Sequence, residues 1–172
     1  SGGSTTKVAE GLGQAMGCEV RRLGVSGKPG PGAILAAMTG MGARLTADTD
    51  LCLDGCDAVV LMTPVWAGAP APASTTFINK AGLTGKPVYF VTVGGLPSNP
   101  KAVAALEKRL SARGAVVAGH TEVQGKAGTA PQPDGKSCEQ NPPDPTDDEL
   151  TACGTGLAAT VTAALATARG MR

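Results

Sequence analysis

Six small residues, Ser1, Gly2, Gly3, Ser4, Thr5 and Thr6, run directly into a stretch with helical periodicity. Successive backbone N–H groups and hydroxyls at a helix N-terminus form a seat for a phosphate dianion that needs no Lys or Arg. The same residues serve equally well as an ordinary helix cap. A second cluster, Pro64, Val65, Trp66, Ala67 and Gly68, continues as Ala69, Pro70, Ala71 and Pro72 and holds the only Trp of a chain with 2% aromatic residues. A Trp among small residues is suited to covering a flat aromatic ligand, and Gly68 lets the main chain come close; packing over a sheet edge is the other reading. Third, Thr92, Val93, Gly94 and Gly95 close an apolar run. Glycines there either let main-chain donors reach a ligand edge or simply make a turn.

Other reactive side chains form no comparable constellation. His120 is the single histidine and falls near the end of a strand, away from the three loops. Cys52 and Cys56 are four apart with no second ligand pair at zinc-like spacing. Asp144, Asp147, Asp148 and Glu149 look like a cation cluster, but Thr146 with Glu149 three residues later is a capping box, and acidic residues suit the positive end of a helix. That capping role suffices for them.

The elements that must position these loops alternate. Residues 5–16 space Val8, Leu12, Ala15 and Met16 at helical intervals and end at Gly17; residues 33–41, 73–81 and 101–113 are further helices. Residues 18–23, 57–62, 87–93 and 115–123 are the four strand candidates, and the paired valines of 57–62 suit a strand buried on both faces, with a break at Pro64. Residues 125–145 are an aperiodic excursion rich in Pro and Gly, and 146–169 form a last helix. Alternation of this kind gives an α/β fold with a doubly wound parallel sheet in three layers. In such sheets ligands bind beyond the carboxyl ends of the strands, where all three loops fall.

Together the three loops resemble the flavodoxin-like family. A Ser-Gly-x-Ser/Thr-x-x-x-Val-Ala phosphate loop is matched by Ser1, Gly2, Ser4, Val8 and Ala9. A Pro-x-Trp loop leading to a Thr-Phe helix is matched by Pro64, Trp66, Pro70, Pro72, Thr76 and Phe77, and a Gly-Lys-x-Val strand ending Thr-x-Gly-Gly by Gly85, Lys86, Val88, Thr92, Gly94 and Gly95. The resemblance implies flavin mononucleotide (FMN) at the switch point of a sheet of order 2-1-3-4-5. It assigns Ser1 to Thr6 to the phosphate, Trp66 to one face of the ring, Ala67 and Gly68 to the surroundings of N5, and Gly94 and Gly95 to the pyrimidine edge, with Pro64, Val65, Thr92 and Val93 as further cofactor-binding positions of the same two loops. It further implies an electron carrier or a small FMN-dependent reductase, working with a redox partner protein or a nicotinamide reductant.

Two departures stand out. The family's second stacking aromatic has no counterpart in residues 94–99, where only Leu96 is large and apolar. The family's first strand precedes the phosphate loop, whereas Ser1 lies in that loop; the expectation is an apolar strand of about five or six residues upstream of Ser1. The rival from another class is a flavodoxin-fold binding or structural domain that has lost its flavin.

Bulk properties agree with one domain over residues 1–172. The chain is 42% hydrophobic with a formal net charge of +1 and has no basic stripe, so nucleic acid is not expected as a partner. No uninterrupted apolar run reaches the eighteen or so residues that cross a bilayer, so neither is a membrane. Five cysteines at irregular spacings point to a reducing, cytoplasmic setting.

Overall fold

The computed structural model describes residues 3–27, 31–126 and 144–170; Ser1, Gly2 and most of the 125–145 excursion lie outside the described residues. In chain order these form α1 (Ser4–Met16), α2 (Pro31–Thr39), β1 (Val59–Trp66), β2 (Ala69–Pro70), α3 (Pro72–Lys80), β3 (Pro87–Gly94), α4 (Pro100–Ala112), β4 (Val116–Gln124) and α5 (Asp147–Gly170). The sheet order is β2-β1-β3-β4, with β1, β3 and β4 parallel. These three are the 3-4-5 half of the expected order.

β3 is the central strand and all eight of its residues are buried, as its unbroken apolar run requires. Its alternate side chains feed two cores. Tyr89, Val91 and Val93 pack with α1 and α5 through Val8, Leu12, Leu150, Val161 and Leu165. Val88 and Phe90 pack with α3 and α4 through Phe77, Ile78, Val103, Leu106 and Leu110. Helices thus cover both faces, in three layers.

Helices α1 and α5 lie unusually close because glycines face each other's backbone. A Cβ on Gly154 would stand 2.1 Å from the Val8 carbonyl oxygen, and one on Gly11 would stand 2.1 Å from that of Thr151. The expected capping box is formed at the start of α5: the Thr146 N–H donates to Glu149 Oε2 at 2.7 Å and the Glu149 N–H to Thr146 Oγ1 at 3.2 Å. α5 has the length and mean hydropathy of a bilayer-crossing helix, but its Leu150, Val161 and Leu165 are core residues.

Two expectations need correction. Residues 18–23 are not a strand; they form no ladder, and the nearest pairing is an isolated antiparallel bridge, Val25 to Leu45. Residues 17–22 are exposed, and Arg21 fixes the segment by side-chain bonds to Asp50 at 2.8 Å and the Cys52 carbonyl at 2.9 Å. Extended chain becomes strand only beside a partner, and the place between this segment and β1 is an open cleft of about 690 Å³ along the unpaired β1 edge. The second correction concerns Pro64, which does not break β1. Its carbonyl accepts from the Ala71 N–H on the side away from β3, so its missing N–H costs no bond to the sheet.

Candidate functional site

The start of α1 lacks what usually closes a helix. Gly3 stands at the N-cap with φ +82°, no side chain caps the first turn, and no acidic residue lies in it. Among the described residues the N–H groups of Ser4, Thr5 and Thr6 therefore have no main-chain acceptor, the Lys7 N–H being the first to find one, at Gly3. Space is open where a Gly3 Cβ would stand. Gly3, Thr5 and Thr6 line the cleft beside the β1 edge, and so do Pro64 and Trp66.

Trp66 reaches the cleft through a tight hairpin. It pairs with Ala69, and the two residues between them, Ala67 at φ +49° and Gly68 at φ +76°, both have positive φ, the pattern of a type I′ turn. Ala67 is the only described residue other than glycine with positive φ. Nothing lies within 4 Å of a Cβ at Gly68, so its left-handed backbone, not crowding, calls for glycine there. Strand alternation turns Trp66 and Pro64 toward the α1/α5 face and Val65 toward the α3/α4 face.

The third loop adjoins both others without lining the same cleft. A Gly94 Cβ would stand 3.4 Å from Val65 Cβ and 2.8 Å from Asn99 Nδ2, so glycine is required there by the protein's own packing. Val93 belongs to the α1/α5 core. Thr92 is 1% exposed and its Oγ1 has no partner among the described residues; alternation sets it beside Thr63 on the α3/α4 face, beneath the loops. Gly95 is half-buried and its N–H finds no acceptor among the described residues.

Residues beyond the three motifs knit the loops together. Past β4, the Gly125 N–H donates to the Gly94 carbonyl at 2.7 Å and the Lys126 N–H to Ser4 Oγ at 3.1 Å. A Cβ on Gly125 would meet both Val93 and Ser4. Lys126 also pairs with Asp147 at 2.6 Å, a hydrogen bond that holds the Asp147 carboxyl below its usual range. The Lys126–Ser4 bond joins residues 122 positions apart in sequence, which no local motif announces. The parallel register that puts Gln124 opposite Gly94 is the only signal that could have found them.

First-turn donors with no acceptor among the described residues, together with open space at Gly3, suit a phosphate, and the Gly95 N–H, equally without one among them, suits an acceptor at a ring edge. The residues present therefore fit FMN. Fold and site define the class: a flavodoxin-like α/β flavoprotein. A family model described as NADPH-dependent FMN reductase matches residues 1–129, and the chain belongs to that family. Its cofactor is FMN, its function is that of an FMN-binding redox protein, and the family implies a nicotinamide as reductant. Among solved structures, a protein from Bacteroides eggerthii described as a flavoprotein is similar at TM-score 0.57 and 21% identity, over 71% of this chain and 80% of that one. The flavodiiron core Flv1 from Synechocystis is similar at TM-score 0.44 and 17% identity, over 95% of this chain and 34% of that one. No curated protein sequence matches.

Proposed function

We propose that this chain is a small FMN-dependent reductase, with its flavin held by the three loops at the carboxyl ends of β1 and β3. Ser1 to Thr6 bind the phosphate through main-chain N–H groups and the Thr5 and Thr6 hydroxyls. Pro64 and Trp66 form one wall, with the indole against the ring, while Val65 between them packs beside Gly94; Ala67 and Gly68 lie near N5; Thr92 and Val93 carry Gly94 and Gly95 to the pyrimidine edge. FMN, when bound, supplies the two-electron redox chemistry. The protein's residues orient it and leave one face uncovered, because residues 94–99 offer no aromatic to close it. That open face suits a nicotinamide.

The observation that carries the reading is the gathering of donors without an acceptor among the described residues, at the start of α1 and at Gly95, around one end of the sheet. The described free cysteines, Cys18, Cys52, Cys56 and Cys153, support a reducing, cytoplasmic setting as part of the same proposal. Steady-state oxidation of NADPH by the FMN-loaded protein with a flavin or quinone acceptor tests it. Turnover supports a reductase; a protein that binds FMN yet is never reduced by NADPH or NADH is a carrier fed by another protein.

A further inference from the structure

Glu122 lies on β4 in register with Thr92, half-buried on the α3/α4 side of the sheet. Its carboxylate is shared between two donors of one loop: Oε1 accepts from Ser98 Oγ at 3.1 Å and Oε2 from the main-chain N–H of Asn99. Asn99 precedes α4, is 8% exposed and does not cap that helix with its side chain. Instead its Nδ2 turns back to donate to the Leu96 carbonyl at 3.3 Å. At the other end of the loop the Gly125 N–H holds the Gly94 carbonyl. Residues 94–99 are thus fastened to the β4 side at both ends, and the N–H of Gly95 in between has no acceptor among the described residues.

We propose that Glu122 is a positioning residue for the ring end of the site: by holding Ser98 and Asn99 it fixes the loop shape in which Gly95 offers its N–H to the flavin's pyrimidine edge. The proposal rests on the assignment of Gly94 and Gly95 to that edge. Glu122 itself touches no ligand. A carboxylate suits the role because it accepts two bonds at once and makes stronger ones than a neutral acceptor. Support of this kind, from residues behind those that meet the ligand, separates a rigid site from a loose one.

The test compares Glu122→Ala, Glu122→Gln, Ser98→Ala and Trp66→Ala as apoproteins titrated with FMN and with riboflavin, together with the flavin midpoint potential and the apoprotein's thermal midpoint. Glu122→Ala is expected to bind FMN and riboflavin about tenfold more weakly, by the same factor for both because the phosphate end is untouched. Its midpoint potential falls, since donors at the pyrimidine edge favour the negatively charged reduced flavin. Glu122→Gln, which keeps an acceptor for the Asn99 N–H, recovers most of the affinity. Wild-type affinity and potential in Glu122→Ala, or a change confined to the thermal midpoint, overturns the proposal. If Glu122→Ala fails to fold, Ser98→Ala decides: about threefold weaker binding upholds the proposal and unchanged binding overturns it. Trp66→Ala separates the two levels. If it binds FMN as the wild type does, the site assignment itself fails; if it binds weakly while Glu122→Ala is normal, only the role of Glu122 fails.

Discussion

Replacing Gly154 by Ala pits two effects of known size against each other. In an isolated helix the change is favourable by about 1 kcal/mol, because Ala loses less backbone freedom on folding. Here the new methyl would stand 2.1 Å from the Val8 carbonyl oxygen and 2.9 Å from the Leu12 nitrogen. A carbon–oxygen contact needs about 3.3 Å, so α1 and α5 must part by roughly 1 Å. Both atoms met are backbone and cannot swing aside. Forcing extra volume into a close-packed interface costs about 1–3 kcal/mol, and the parting also loosens Val8 and Leu12 in the core. The net expectation is a loss of about 1.5 kcal/mol, lowering the thermal midpoint by about 5 °C. Gly156, two residues along the same helix, is exposed with nothing within 4 Å of its Cβ position, so Gly156→Ala should stabilise by up to about 1 kcal/mol. Thermal and urea unfolding of both variants measures the difference. Equal stabilisation by the two substitutions would refute the close crossing of α1 and α5.

Further outcomes follow from the site and the helix ends. Trp66→Ala should weaken FMN binding by about 1–2 kcal/mol, the scale of an aromatic contact beyond simple burial, read by equilibrium titration. Ala67→Gly should raise stability by about 0.5 kcal/mol, the relief of a left-handed alanine less the entropy of glycine, and a loss of stability in denaturant melts would contradict the turn assignment. Glu149 and Asp147 have carboxyl pKa values lowered in the folded state, the first by bonds from Thr146 and the second by the bond from Lys126. Their stabilisation is therefore present above the unfolded carboxylate range and is lost as pH falls through the depressed values. Amide-exchange protection at the start of α5, measured relative to the intrinsic rate at each pH, should fall on acidification below about pH 4, and less so in Thr146→Ala, which has already lost part of the cap.

Much of the fold could be read locally because its cause is local. Val103, Leu106 and Leu110 recur at three and four and all three are buried on α4. The apolar run of β3 has helices on both faces, and Thr146 with Glu149 marks the start of α5. What escaped reading depends on a partner distant in sequence. Residues 18–22 have strand-like composition, but without a neighbouring strand they stay exposed and are held through Arg21. Pro64 read as a break because the side of β1 that lacks a ladder cannot be known before the sheet is assembled. Trp66 was legible as a candidate by its rarity, yet the type I′ turn that presents it passes through Ala67, a residue with no sequence signal for positive φ. Gly11 and Gly154 give no sign of their role in the sequence; it lies in the crossing of α1 and α5. Glu122, Gly125 and Lys126 joined the site only through the β3–β4 register.

Trp66 is the only tryptophan in the chain, so its emission reports on one place. Titrating FMN into the apoprotein while following fluorescence excited at the indole band therefore tests directly whether the flavin lies where the three loops meet. The account predicts saturable quenching of most of the Trp66 emission at one FMN per chain, with the flavin's own fluorescence altered over the same concentration range. FMN bound at one per chain with the Trp66 emission unchanged would contradict it.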